Sequence, residues 1–300
     1  MDKQSIAAEF TGLQDYICQN LEKIDGKSTF QQDTWERYEG GGGRTRTISH
    51  GGIIEKGGVS FSEVFGPVNE IMKRQLGLDG ENFFATGVSI VLHPSNPHIP
   101  IIHMNVRYFE LDTGECWFGG GIDLTPHYIV PTQALQFHAE LKEICDRYDS
   151  TFYAKFKPWA DEYFYIPHRE ETRGIGGIFF DHLKPSEVFS KEQIFNFCMD
   201  LGRNFPVLYE QQVEQGKNLP FTEEQLHWRN LRRGRYVEFN LVNDRGTKFG
   251  LLSGGRTESI LMSLPSDASW EYGVDIKNGS AESDTLKLLV KGVDWITEFA

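Results

Sequence analysis

Strict period-2 alternation is the tightest constraint this sequence places on its fold, because it is the pattern of a strand with one face buried. Between Arg235 and Val242 the residues Val237, Phe239 and Leu241 fall on one side, and Tyr236, Glu238 and Asn240 on the other. Asn243-Asp244-Arg245-Gly246 follows as turn chemistry, with Gly246 free to take positive φ. Residues 247–252 then read as a returning strand and 259–264 as a third. The expected meander breaks at Ser253-Gly254-Gly255-Arg256, where two glycines bare backbone N–H groups beside a guanidinium. Spacing leaves two readings there: a tight turn with a solvated arginine, or a place where a ligand approaches.

The same alternation recurs at residues 87–93 (GVSIVLH) and 101–110 (IIHMNVRYFE), joined by a loop holding Pro94, Pro97 and Pro100. An antiparallel hairpin is expected. One face would carry Ser89, Val91 and His93 with His103, Asn105 and Arg107; the other would carry Val88, Ile90 and Leu92 with Ile102, Met104 and Val106. A face gathering a hydroxyl, imidazoles, an amide and a guanidinium reads as a solvated exterior or as a binding face.

Charge narrows the choice of ligand. The formal net charge of −13 argues against nucleic acid and anionic membranes as partners. An anionic small molecule would have to be held by individual arginines against an unfavourable overall field. A hydrophobic content of 39% with 13% aromatic residues is enough for a sizeable core. Cys18, Cys116, Cys145 and Cys198 are scattered without a CxxC pair, as expected of reduced thiols in a cytoplasmic protein. No apolar run reaches membrane-spanning length, and the N-terminal MDKQSIAAEF has no signal-like apolar stretch.

Elsewhere Phe10, Leu13, Ile17, Leu21 and Ile24 predict an opening amphipathic helix, and residues 30–38 a strand. The glycines of residues 39–66 forbid a long helix; Gly40 to Gly43 ahead of Arg44 and Arg46 read as a flexible loop or as arginines swung over an anion. Phosphate-loop and GxGxxG spacings are lacking there, which excludes nucleotide binding at this stretch. Residues 115–126 (ECWFGGGIDLTP) place three glycines in a strand pattern, suggesting a bulge or a close approach. Helices are expected from Pro131, with His138 flanking its apolar stripe, and over the aromatic residues 152–166. Asp181 ends the apolar run of TRGIGGIFFDH as a cap neighbour or a deliberately placed carboxylate. Ser190 with Gln193 and Thr222 with Gln225 form capping boxes, and residues 283–299 carry a closing apolar stripe. One α+β domain over residues 1–300, built on an antiparallel sheet flanked by helices, fits this order.

Together these segments resemble the oxygen-dependent coproporphyrinogen III oxidases of haem synthesis. The resemblance is carried by GGGGRTR (40–46), EKGGVSFSEVFG (55–66), the strands at 89–93 and 103–107, WFGGGIDLTP (117–126), HREETRGIGGIFFD (168–181) and the long run 234–265. It implies a large, flat, mostly antiparallel sheet sandwiched between helices. The implied reaction is oxidative decarboxylation of two propionates of coproporphyrinogen III to vinyl groups, giving protoporphyrinogen IX. Dioxygen is the co-substrate and no organic cofactor is expected. The resemblance further implies a homodimer with its contact over residues 236–271 (Tyr236 to Glu271). Ser89, Asn105, Val106, Arg107, Gly254, Gly255 and Arg256 look like substrate contacts, and His103 like a proton donor. His93, His103, His138 and His168 match histidines proposed as divalent-metal ligands. The chain departs from the family at His182, where a second acid is expected after Asp181.

The residues suit that chemistry. Arg107 and Arg256 can grip propionates bidentately. A carboxylate near the pyrrole N–H groups, for which Asp181 is the candidate, would orient the ring and accept a proton. The glycine runs 40–43 and 119–121 would serve as covers that exclude water.

Overall fold

The computed structural model describes residues 1–300 apart from 78, 253 and 254; the side chains of 71, 75, 76 and 249 also lie outside the description. Helix α1 (Lys3–Asp25) is capped by Asp2, which accepts the Ser5 N–H, and is closed by Gly26 at φ 70°. Then come β1 (Gln31–Glu36), β2 (Gly41–Ser49), β3 (Ile54–Pro67), α2 (Glu70–Leu76), β4 (Asn82–Pro94), β5 (Ile101–Leu111) and β6 (Cys116–Thr125). α3 (Pro131–Asp146), α4 (Phe152–Tyr163), short strands β7 (Tyr165–Ile166) and β8 (Glu171–Thr172), β9 (Gly176–Leu183) and α5 (Lys191–Gly216) follow. The last elements are α6 (Glu223–Glu238), a π-helical turn (Phe239–Asn243), α7 (Arg245–Leu252), α8 (Thr257–Leu261) and α9 (Ala281–Leu288).

Seven strands form one antiparallel sheet in the order β1-β2-β3-β4-β5-β6-β9. The hairpin expected from alternation is β4 with β5, Ser89 standing opposite Asn105 and Val91 opposite His103. Its back face, Val88, Ile90, Leu92, Ile102, Met104 and Val106, is buried beneath the apolar stripes of α1 and α5. Each large side chain so buried stabilises the fold by about 1.5–3 kcal/mol. The α+β sheet-and-helix architecture read from the sequence is therefore the one observed.

Four local expectations are corrected. The glycine run is the start of strand β2, not a loop: a Cβ on Gly41 would lie 2.1 Å from the Glu63 carbonyl oxygen. Arg44 and Arg46 do not swing over the front of the sheet; both pair with Asp15 of α1 at 2.7 Å, on the back. Residues 235–264 form no strand where they are described: the end of α6, the π-helical turn, α7 and α8 stand where a meander was expected. The buried residues of α6 are Trp228, Arg229, Leu231, Arg232, Arg233, Gly234 and Tyr236, a helical face with three arginines in it. Val237 to Leu241 thus mimics a strand only by composition, and Leu241 is 45% exposed. The closing stripe also breaks, since α9 stops at Leu288 and Gly292 takes φ 83°.

One buried carboxylate ties the first helix to the sheet. Asp25 accepts backbone N–H bonds from Ser28, Gly52, Ile53 and Ile54 at 2.8–3.0 Å. Replacing it leaves several buried donors unpaired, each costing about 1–3 kcal/mol. Asp25→Ala should therefore lower unfolding free energy by on the order of 3 kcal/mol in urea titrations; a change within about 0.5 kcal/mol would show that water replaces the carboxylate.

Candidate active site

The front of the sheet is built by the other parity of the same strands. Asn105 stands between Ser89 and Gly121, His103 between Val91 and Asp123, and Arg107 between Gly87 and Gly119. The glycines make room: a Cβ on Gly119 would fall 2.6 Å from Asp181 Oδ1 and 2.8 Å from Arg107 Cζ. Ser60 lies opposite Ser89 and extends the polar row, its buried Oγ without a partner among the described residues.

These groups form a continuous line. Asp181 Oδ2 is 3.0 Å from Arg107 Nη2, and Arg107 Nη1 donates to Asn105 Oδ1 at 2.7 Å. Asn105 Nδ2 lies 3.4 Å from His103 Nε2, and His103 Nδ1 lies 2.8 Å from Asp123 Oδ1. Because the carboxylate takes the Nδ1–H, Nε2 is the nitrogen presented along the polar row. Arg173 Nη2 then donates to both Asp123 oxygens at 2.8 Å, and its Nη1 donates to Asn240 at 2.9 Å. Arg173 is enclosed by the rings of Phe164, Tyr236 and Phe239 at 4.4–4.6 Å. Burial alone would raise the Asp123 carboxyl; Arg173 and His103 outweigh it and hold it below the usual carboxylate range.

Tyr163 walls the β9 side. It stacks on Phe179 at 4.1 Å, donates its hydroxyl to Asp244 at 2.7 Å, and carries the Arg245 guanidinium 5.0 Å from its ring. Arg256 sits at the opposite margin, hydrogen-bonded to Asp33 of β1. The strands bearing Asp33 and Arg107 are four steps apart, on the order of 19 Å. The two expected propionate clamps therefore stand at opposite sides of one broad face. Gly255 donates to the Gly250 carbonyl at 2.8 Å, whereas Gly254 lies outside the described residues. Val106 does not share this face: its side chain is fully buried in the back core.

The four histidines expected to hold a metal are not brought together. His93 is fully buried with Nε2 2.8 Å from the Ser263 carbonyl. His138 belongs to the back core, between the Tyr153 hydroxyl and the Ile175 carbonyl. His168 lies out at Glu238, 2.9 Å away, and His103 at Asp123. Among the described residues no group of three or more His, Cys, Asp or Glu side chains is placed to hold a metal ion. The donor set does not fit a divalent cation, because its members stand on separate elements and on both sides of the sheet.

Asp123 and Arg173, the innermost members of the line, are not among the site residues expected from the sequence. Parity marks Asp123: it shares the phase of Gly119 and Gly121 in β6 and is the one acid in that strand. Arg173 stands outside any regular element, and only its place in the stretch 168–181 marks it.

An open antiparallel sheet with a polar front, guanidiniums at its margins and a buried carboxylate–imidazole pair defines a protein built to bind a broad, carboxylate-bearing ligand. The family profile described as Coproporphyrinogen III oxidase matches residues 5–295, and the chain belongs to that family. Relatives include the oxygen-dependent coproporphyrinogen-III oxidase of Prochlorococcus marinus (strain SARG), 46% identical over 96% of this chain and 91% of its own. The protein of the same name from Prochlorococcus marinus (strain MIT 9312) is 45% identical, over 95% of this chain and 90% of its own. The family resemblance read from the motifs is borne out.

Three buried histidines set an acid limit on stability. Desolvation lowers His93 and His138 from 6.5 to about 3 and lowers His127 well below 6.5. The unfolded imidazoles protonate below pH 6.5 while the folded ones stay neutral, so stability falls with pH between 6.5 and about 3. Each contributes about 1.4 kcal/mol per pH unit across that window. Urea unfolding should therefore show roughly 3 kcal/mol lost by about pH 5.5. His138→Gln should take about a third off that slope, and a flat profile would mean that these rings protonate within the fold.

Proposed function

We propose that this chain is an oxygen-dependent coproporphyrinogen III oxidase, converting two propionate side chains of coproporphyrinogen III to vinyl groups and giving protoporphyrinogen IX. The observation that carries this reading is family membership over nearly the full chain, joined to the line of Arg107, Asn105, His103 and Asp123 on an open face. In each round one propionate loses a hydrogen from the carbon next to the ring and then carbon dioxide. Dioxygen takes the two electrons and, with two protons, leaves as hydrogen peroxide.

A net-acidic protein must hold a polyanionic ring with local cations. Arg107 and Arg256 supply them at two sides of the face, with Ser89, Asn105 and the main chain of Gly255 as further contacts. Arg245, exposed on Tyr163, is placed to add a third. Asp181 orients the pyrrole N–H groups and accepts a proton, which raises ring electron density for attack on dioxygen. Its link to Arg107 means that a propionate reaching Arg107 competes with Asp181, coupling substrate binding to release of the base. Asp123 takes the Nδ1–H of His103 and stabilises its imidazolium, the form in which Nε2 carries a proton and can deliver it to the peroxide-level product.

The protein is read as a cytoplasmic homodimer. Support for the compartment comes from its four unpaired cysteines; among the described residues, no helix is long and apolar enough to cross a membrane. Support for a contact over residues 236–271 comes from the exposed side chains of Leu241, Val242, Leu251, Leu252 and Trp270 within it.

Reduced coproporphyrinogen should yield vinyl groups and carbon dioxide in air and neither in strict anaerobiosis. Equal anaerobic turnover would sink the reading. Asp181→Ala should lower kcat by about 10²–10⁴-fold with the fold intact, whereas Arg107→Ala should act chiefly on KM. Because the histidines are dispersed, exhaustive chelation checked by elemental analysis should leave turnover unchanged, and a loss restored by one divalent metal would contradict this.

A further inference from the structure

Strand β9 is bulged where it meets β6. Phe118 pairs with Leu183 and Gly120 with Phe180, so Asp181 and His182 together stand opposite Gly119. Regular alternation would send these two side chains to opposite faces; a bulge re-aims them. His182 takes φ 48°, a left-handed conformation uncommon outside glycine, and donates its N–H to Asp181 Oδ1 at 2.9 Å. The other oxygen of Asp181 is the one that meets Arg107 at 3.0 Å.

The ring of His182 does not hang free. It stacks on Trp117 with centroids 4.7 Å apart and planes 19° apart. Trp117 stacks on Phe109 at 4.5 Å, and Phe109 on Phe83 at 5.7 Å. His182 is thus the outermost rung of an aromatic ladder crossing β4, β5, β6 and β9. The inner rungs are anchored, since Phe83 and Trp117 belong to a small core with Val68 and Met72 beneath α2.

We propose that His182 is a positioning residue for the Arg107–Asp181 pair: its ring, stacked on Trp117, holds the β9 bulge in the register that turns the Asp181 carboxylate to the polar face. The proposal rests on the reading of that pair as substrate-facing. It assigns the role to the flat ring, not to an ionisable nitrogen. It also accounts for an imidazole following Asp181: a second carboxylate would offer no ring to the ladder.

The test compares coproporphyrinogen oxidation by the parent, H182F, H182N, D181A and the double variant D181A/H182N, each checked for unchanged circular dichroism and melting temperature. Asn tolerates the left-handed backbone but removes the ring. H182N should lose at least about tenfold in kcat/KM, as expected for a misplaced reacting group, with the same split between kcat and KM as D181A. H182F keeps the stack and should stay within about threefold of the parent. In the D181A background H182N should add nothing further, because its effect passes through Asp181. H182N within about twofold of the parent while D181A is impaired would overturn the proposal. So would a loss that persists undiminished in the double variant. Parent-like activity of D181A would instead remove the reading of the pair itself, in a variant that leaves His182 untouched.

Discussion

The buried ion pair between Asp123 and Arg173 is the interaction on which the rest of the front face depends. Their side chains are 1% and 3% exposed, so neither charge can be left without the other. Breaking such a pair by removing one partner typically costs about 3–5 kcal/mol. Asp123 reaches outward from the pair to His103, setting which imidazole nitrogen is presented along the polar row. Arg173 reaches inward to Asn240 and three aromatic rings, gathering the end of α4, helix α6 and the π-helical turn onto the sheet. One charge pair thus orients the His103 imidazole and holds down the layer that flanks it.

The sheet divides labour by parity. One phase of β4 and β5 is aliphatic and closed by α1 and α5; the other is polar and left open around Ser89, Asn105 and Arg107. Gly119 and Gly121 keep the polar face low beside these groups, where any Cβ would meet Arg107, Asp181 or the Ile178 carbonyl. Arg107 and Arg256 stand far apart on that face, each beside a carboxylate.

How far the sequence could be read depended on what wrote the period. In residues 87–110 aliphatics alternate with polar groups, and both the hairpin and its two faces follow directly. In α6 the buried face carries Arg229, Arg232 and Arg233, which pair with Glu55 and Glu171. An apolar template does not see it, so Val237, Phe239 and Leu241 suggested a strand that does not exist. The histidines failed as a metal set for a related reason: residue type without placement says nothing of convergence.

By itself the sequence determined the family, the antiparallel sheet with its open polar parity, and the residues Ser89, His103, Asn105 and Arg107 that share one side of it. Those follow from period and motif, which are local properties. Only the tertiary structure decided that Asp123 and Arg173 underlie His103, that Asp181 shares a face with Arg107 through a bulge, and that Arg44 and Arg46 serve the back helix. Each of these turns on which distant segments meet across the sheet, and burial decides that through charges that must find partners once water is gone.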